Sequence, residues 1–362
     1  MKRIIIAGGG TGGHLMPALA IAQAIRQRAP EVEPVLVGAV RGVEAQILPT
    51  RDFRFHLLPS EPIYRRTWWK NLRWPFVAGR LLREVGRVFD QEEPVAVLGT
   101  GGYASAPVVW WAARHGVATA VQEQNAYPGL ATRLLSRRVR HVYLGLPEAR
   151  RLLRFGPRTE VFDTGNPIVP PSPERRDRAF AQFGLVPGRP VVLVTGGSQG
   201  ALAINRAVAG WLEAGGASDA QVLWVTGRGT HADFTRWHRP PAVQVIDFLD
   251  PMADGYAVAD LVVSRAGMIT VAELCAWGLP SVLIPLPTAA ADHQTHNARV
   301  LADAGASALL PQSELTPARL GGVIRDLLGD RVRRDAMAAR ARARGRPQAA
   351  AEIVSRLLTL AG

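Results

Sequence analysis

Near the start of each half of this chain an apolar run of strand length opens directly into a glycine-rich turn and then into residues with helical spacing. The first instance is Arg3-Ile4-Ile5-Ile6-Ala7, then Gly8-Gly9-Gly10-Thr11-Gly12-Gly13-His14, then the periodic Leu15, Leu19, Ile21 and Ile25. The second is Val191-Val192-Leu193-Val194-Thr195 followed by Gly196-Gly197-Ser198-Gln199-Gly200-Ala201 and a helix. Strand, glycine turn and helix open a βαβ unit, and such units stack into parallel sheets with helices on their faces. The alternation continues elsewhere: Val95-Ala96-Val97-Leu98 runs into Gly99-Thr100-Gly101-Gly102-Tyr103, and Ala118-Thr119-Ala120-Val121 into Gln122-Glu123-Gln124-Asn125. The expected fold class is therefore α/β, with two Rossmann-like parallel-sheet halves of similar build facing each other across a cleft.

A length of 362 residues is long for a single core, which agrees with two domains. Around Gly165-Asn166-Pro167-Ile168-Val169-Pro170-Pro171-Ser172-Pro173 the chain turns proline-rich and loses periodicity, as a linker does. The expected division is a first domain over 1–164, linker and start of the second over 165–188, a second domain over 189–345 and a C-terminal segment over 346–362. That segment is an amphipathic helix with Ile353, Val354, Leu357 and Leu358 on one side, expected to dock on one of the domains.

The stretch 264–297 carries the most chemistry. It follows the apolar Ala259-Asp260-Leu261-Val262-Val263, turns at Ala266-Gly267 and enters Met268-Ile269-Thr270-Val271-Ala272-Glu273-Leu274, which stops at Gly278-Leu279-Pro280. A helix that starts at a glycine turn after a buried strand presents unpaired N–H groups and a positive dipole end, a place for a phosphate or diphosphate. Glu273, one turn in, is placed to accept from sugar hydroxyls. Asp292-His293-Gln294 follow the next strand, Ser281-Val282-Leu283-Ile284, at the ligand-binding edge of a parallel sheet. The bland alternative is an ordinary βαβ unit.

Composition narrows the partners. A content of 48% hydrophobic and 20% charged residues describes a folded, soluble protein. The one cysteine, Cys275, excludes a disulfide framework and a cysteine zinc site and suits a reducing compartment. No apolar run approaches the ~18 residues of a membrane span, and the N-terminal isoleucines read as a strand, not an export signal. A net charge of +13 calls for an anionic partner: nucleic acid, a membrane surface or phosphorylated substrates. The segment 63–77 interleaves aromatics with cations through Trp68, Trp69, Lys70, Arg73, Trp74 and Phe76. That composition suits an anionic membrane interface, stacking on single-stranded nucleic acid, or tryptophans buried under solvated arginines.

Rival chemistries are weaker. Gly8, Gly10 and Gly13 satisfy the dinucleotide fingerprint, but the strand Val35-Leu36-Val37 ends in Gly38 where a ribose-binding acid is due, and Glu44 lies beyond it. Gly196-Gly197-Ser198-Gln199-Gly200 also spells a nucleophile elbow, yet Asp292 and His293 are adjacent and leave no spacing for a triad. His293 and His296 lack a third metal ligand at a recognisable spacing, and no Asp-x-Asp pair is present to hold magnesium. No nucleic-acid reader motif is visible.

Thr11-Gly12-Gly13-His14, Gly101-Gly102-Tyr103, Glu123-Gln124-Asn125, Gly165-Asn166-Pro167, Gly196 to Gly200, the run from Ser264 to Glu273, and Asp292-His293-Gln294 with Asn297-Ala298 together closely resemble the MurG family. These are peptidoglycan N-acetylglucosaminyltransferases of the GT-B superfamily, and the resemblance spans nearly the whole chain in collinear order. It implies inverting, metal-independent transfer of N-acetylglucosamine from UDP-N-acetylglucosamine to the 4-hydroxyl of the muramoyl unit of undecaprenyl-diphosphate-linked pentapeptide (lipid I), giving lipid II, with no cofactor. Ser198, Met268, Ile269 and Thr270 then hold the donor diphosphate, with Gln199, Val271 and Ala272 in the same substrate-binding set. Glu273 binds the ribose, the Leu249 backbone the uracil, and Gln294 and Asn125 the glucosamine hydroxyls. Thr11, Gly12 and Gly13 border the transferred sugar and acceptor, and Tyr103 lines the acceptor side. His14 is the candidate base or acceptor-positioning group, with capping or packing as its alternative, and Glu123 is held in reserve. The aromatic, basic segment then rests on the inner leaflet, which makes the protein peripheral to the cytoplasmic face of the membrane. Three positions depart from the family pattern: Val169 stands where arginine is usual, Gln122 where histidine is, and Thr132 where asparagine is.

Overall fold

A computed structural model of the chain describes every residue except Thr11, residues 62–73 and Ser198, and the side chains of Trp74 and Pro75 are also outside it. The expectations placed on Thr11, Ser198, Trp68, Trp69, Lys70, Arg73 and the Trp74 side chain therefore lie outside the described residues.

Two compact units make up the chain, Met1–Ile168 with Gln348–Gly362, and Val169–Pro347. The first holds strands β1 (Lys2–Gly8), β2 (Val32–Ala39), β3 (Arg54–Leu58), β4 (Ala96–Gly101), β5 (Ala118–Glu123), β6 (His141–Leu144) and β7 (Glu160–Phe162). The second holds β8 (Val191–Thr195), β9 (Gln221–Val225), β10 (Val243–Ile246), β11 (Leu261–Ser264), β12 (Ser281–Leu283) and β13 (Ala308–Leu309). Among the helices of the first unit are α1 (Gly12–Arg28), α2 (Glu44–Ile47), α3 (Trp74–Glu92), α4 (Ser105–Arg114) and α5 (Leu130–Leu135). The second unit has α6 (Arg176–Gln182), α7 (Leu202–Glu213), α8 (His231–Phe234), α9 (Met252–Val258), α10 (Met268–Trp277), α11 (His293–Asp303), α12 (Pro317–Gly329) and α13 (Arg331–Arg344), and α14 (Ala349–Leu360) returns to the first.

Both sheets are parallel throughout. The first runs β3-β2-β1-β4-β5-β6-β7 and the second β10-β9-β8-β11-β12-β13, so both have the Rossmann order from their first strand outward. The strands are continuous apolar runs because they are covered on both sides: Ile4, Ile5 and Ile6 are all fully buried, with Ile5 facing one core and its two neighbours the other.

One side of the first sheet packs α3 and α4 through Leu81, Val85, Val108 and Val109. The opposite side packs α1 through Leu15, Ile21 and Ile25, joined by Ile353, Val354 and Leu357 of α14. The helix expected to dock on one of the domains thus completes the core of the first, although the second unit precedes it in sequence. The division between units falls after Ile168, four residues beyond the expected 164, so Gly165-Asn166-Pro167 belongs to the first unit. The reason is visible in Asn166, which is buried and hydrogen-bonded to Gln122 and Gln124 of that unit. Among the described residues no helix is long and apolar enough to cross a membrane.

Candidate active site

In the first unit β1 and β4 are neighbours whose connections leave in opposite directions, the switch point where open α/β sheets bind ligands beyond their carboxyl ends. Two glycine loops meet there at backbone distance. A Cβ on Gly102 would stand 1.8 Å from the Gly9 carbonyl oxygen, and Gly101 and Gly102 have φ of 100° and 80°. Only glycine allows both the approach and the left-handed backbone. Behind the first loop lies Glu44, whose fully buried carboxylate accepts from the N–H of Gly10 at 2.9 and 3.0 Å and of Ala39 at 2.8 Å. The acid that stands too far along for a ribose is therefore the anchor of the glycine loop.

His14 sits in the first turn of α1, half-buried, with Nδ1 3.1 Å from the Thr100 carbonyl oxygen and 3.2 Å from Gln124 Oε1. The Thr100 hydroxyl donates back to the His14 carbonyl at 2.9 Å. Gly12 and Gly13 are exposed beside it. The Tyr103 ring covers Gly10 so closely that a Cβ there would lie 2.6 Å from its edge. The buried Glu123 carboxylate accepts from the N–H of Asn125 at 3.1 Å, the Asn125 amide at 3.3 Å and the N–H of Gly129 at 3.0 Å. Both its oxygens are committed to the loop that carries Asn125. Of the two base candidates, Glu123 is the one whose oxygens are taken up by its own loop.

The second unit repeats the plan at the ends of β8 and β11. Helix α10 buries Met268, Val271, Leu274 and Cys275 and ends at Gly278 in the left-handed region. Its N-cap is Gly267, with no side-chain cap and no acid in the first turn. Among the described residues the N–H groups of Met268, Ile269 and Thr270 find no acceptor, and a Cβ on Gly267 would touch nothing within 4 Å. Open, uncapped and at the switch point, this helix end has the N–H groups and dipole that an anion would need. Gln199 lies in the glycine turn after β8, which packs on the next loop: a Cβ on Gly200 would be 2.3 Å from the Thr226 carbonyl.

Ala272 and Glu273 follow on the same helix, both partly buried. Glu273 accepts a hydrogen bond from Tyr256 at 2.9 Å. Burial pushes its carboxyl up to about 7, against the pull of that hydrogen bond. The Tyr256 phenol is in turn held well above its ordinary value, by burial first and the neighbouring carboxyl second. Leu249, in the loop after β10, buries its side chain while its N–H and C=O find no partner among the described residues. Gln294 accepts from the Leu286 N–H at 3.0 Å through Oε1, and its Nε2 has no protein partner among the described residues.

Sequence reasoning left out several residues of these sites. Arg265 donates to the carbonyls of Ile284 and Pro285 at 3.1 Å and to Gln312 at 2.7 Å, tying together the loops beside α10. Asn297, fully buried, donates to the Ala266 carbonyl at 3.3 Å and holds the turn before that helix. Tyr256, Glu44 and Gln124 were missed as partners because each reaches its target from a different element. In the apolar terms of a sequence pattern, only a lone charge in a buried run, as at Arg265, signals such a role.

Residues 4–144 match the glycosyltransferase family 28 N-terminal domain and residues 191–353 its C-terminal domain. A UDP-N-acetylglucosamine–N-acetylmuramyl-(pentapeptide) pyrophosphoryl-undecaprenol N-acetylglucosamine transferase of Moorella thermoacetica is 40% identical over 98% of both chains. The same enzyme of Salinibacter ruber is 40% identical, over 99% of this chain and 96% of its own. The chain belongs to the MurG family. It is a family 28 glycosyltransferase. Among solved structures, MurG of Acinetobacter baumannii superposes with a TM-score of 0.79 at 27% identity, covering 99% of this chain and all of its own. A UDP-GlcNAc 2-epimerase of Neisseria meningitidis bound to UDP-GlcNAc reaches 0.65 at 13% identity, covering 99% and 100% of the two chains, and shares the GT-B fold alone. The MurG relationship thus covers both units and the returning C-terminal helix.

Proposed function

We propose that the protein transfers N-acetylglucosamine from UDP-N-acetylglucosamine to the C4 hydroxyl of lipid I, forming lipid II, by a single inverting displacement without metal. The observation that carries this is the uncapped N-terminus of α10 at the switch point of the second sheet, in a chain about 40% identical to enzymes named for this transfer. The first-turn N–H groups of Met268, Ile269 and Thr270 receive the donor diphosphate and stabilise the charge that grows on UDP as it leaves. Ser198, Gln199, Val271 and Ala272 complete that side. Glu273 accepts from the ribose, the Leu249 backbone pairs with uracil, and Gln294 and Asn125 bind glucosamine hydroxyls. On the first unit His14 takes the proton of the acceptor hydroxyl as that oxygen bonds to C1 and the C1–O bond to UDP breaks. Thr11, Gly12, Gly13 and Tyr103 border the acceptor.

Radiolabel transfer from UDP-N-acetylglucosamine to a soluble lipid I analogue tests the reading. Transfer should persist in EDTA and fall at least a hundredfold in His14→Ala. Calorimetric binding of NAD in place of UDP, with no label transfer, would sink it.

The lipid acceptor calls for an enzyme peripheral to the cytoplasmic face of the membrane, held there by the aromatic, basic segment 63–77, whose residues from Trp74 on lie in α3. Phe76, 84% exposed on that helix, supports this docking. Replacing Trp68, Trp69 and Trp74 with serine should lower partitioning onto anionic vesicles and spare turnover of the soluble analogue; unchanged partitioning counts against it.

A further inference from the structure

We propose that Gln124, held by Gln122 and Asn166, is a positioning residue that keeps His14 as its Nδ1–H tautomer and so makes Nε2 the nitrogen that takes the proton. The inference rests on the reading of His14 as the base and adds the device that sets its chemistry.

Two backbone carbonyls decide every orientation in this chain of amides. The Thr100 carbonyl oxygen lies 2.6 Å from one end of the Gln124 amide and can only accept, so that end is the NH2 and the other is Oε1. The Gln124 carbonyl oxygen lies 3.1 Å from one end of the Asn166 amide, which makes that end Nδ2. Asn166 Oδ1 then accepts from Gln122 Nε2 at 2.8 Å, and Gln122 Oε1 accepts from Gln124 Nε2. Each link pairs a donor with an acceptor, and turning any amide over would set like against like.

His14 joins this chain of amides at Gln124. Its Nδ1 lies within 3.2 Å of Gln124 Oε1 and 3.1 Å of the Thr100 carbonyl, and both can only accept. Nδ1 must carry the hydrogen, and the lone pair of the neutral ring is on Nε2. The same two acceptors stabilise the imidazolium formed when Nε2 gains a proton. Thr100, Gln122, Gln124 and Asn166 are all at most 2% exposed, so water does not compete for these groups. None of the three amides titrates, and the orientation holds across the range in which the imidazole changes charge. All five residues belong to the first unit.

Selective 15N labelling of the eight histidines and long-range 1H–15N NMR of the full chain read the tautomer directly, with His14→Ala assigning the signal. Neutral His14 is expected as the Nδ1–H form without any substrate. Finding the Nε2–H form in the unaltered protein overturns the proposal, and that result needs no variant to fold. In Gln124→Leu the His14 titration midpoint should fall by about half a pH unit, the acid limb of kcat/KM following it. There kcat should drop about tenfold with KM for UDP-N-acetylglucosamine unchanged. A midpoint and limb that stay in place in folded Gln124→Leu also overturn it. Failure of the transfer reading looks different: the Nδ1–H tautomer intact, and no label moved from UDP-N-acetylglucosamine.

Discussion

At Glu273 a proposed binding role meets a stability cost. Burial pushes its carboxyl up from 4.5 to about 7, because folding removes it from water and, among the described residues, the Tyr256 hydroxyl alone compensates as a donor. Between those values the folded chain holds a proton that the unfolded chain has released, so stability falls as pH rises through this window, by up to about 3 kcal/mol. Glu273→Gln keeps a partner for Tyr256 and should flatten the pH dependence of the urea midpoint between pH 5 and 8. With ribose hydroxyls donating to the carboxylate as proposed, affinity for UDP-N-acetylglucosamine should rise about tenfold from pH 6 to pH 8, following the ionised fraction. Calorimetry at the two values checks this, and the glutamine variant should lose the difference. An affinity that is flat in the unaltered protein would remove Glu273 from the ribose.

The glycine loops and α10 show what a short element can specify locally. Strand, glycine turn and helix were readable at β1, β4, β8 and β11 because a buried parallel strand leaves an unbroken apolar run, and a left-handed turn demands glycine. What the pattern could not tell was which glycine serves the ligand and which serves the neighbouring loop. Gly267 faces open space, whereas Gly102 is jammed against the Gly9 carbonyl. Gly102→Ala should therefore cost about 1–3 kcal/mol, through clash and left-handed strain together. Thermal melting would register the loss. Gly267→Ala should leave the melting temperature within a degree or two and weaken UDP-N-acetylglucosamine binding instead. The amide relay lay hidden for a similar reason: Gln122, Gln124 and Asn166 look like polar residues at strand ends until β5 and the turn at Gly165 are brought together.

At the scale of the fold, α14 belongs to the first core. Ile353, Val354 and Leu357 are fully buried beside α1 and the first sheet, and burial of such side chains is worth about 1.5–3 kcal/mol each. Ending the chain after Pro347 should lower the melting of the first unit sharply while UDP binding by the second persists. Two-stage melting with calorimetry on the truncated protein would show it, and an unchanged first transition would contradict the packing.

Periodicity, glycine turns and motif order were enough to name the α/β class, the two-part build and the family, because those depend on neighbours in sequence. The amphipathic pattern of 351–360 announced a buried face but not the surface that covers it. That choice, like Glu44 behind the glycine loop, Tyr256 on Glu273 and the amides beside His14, joins residues on different elements, from 17 to 110 positions apart in the last three cases. Such pairings rest on the distances and donor–acceptor matches created when the strands assemble in order, and no local pattern encodes them.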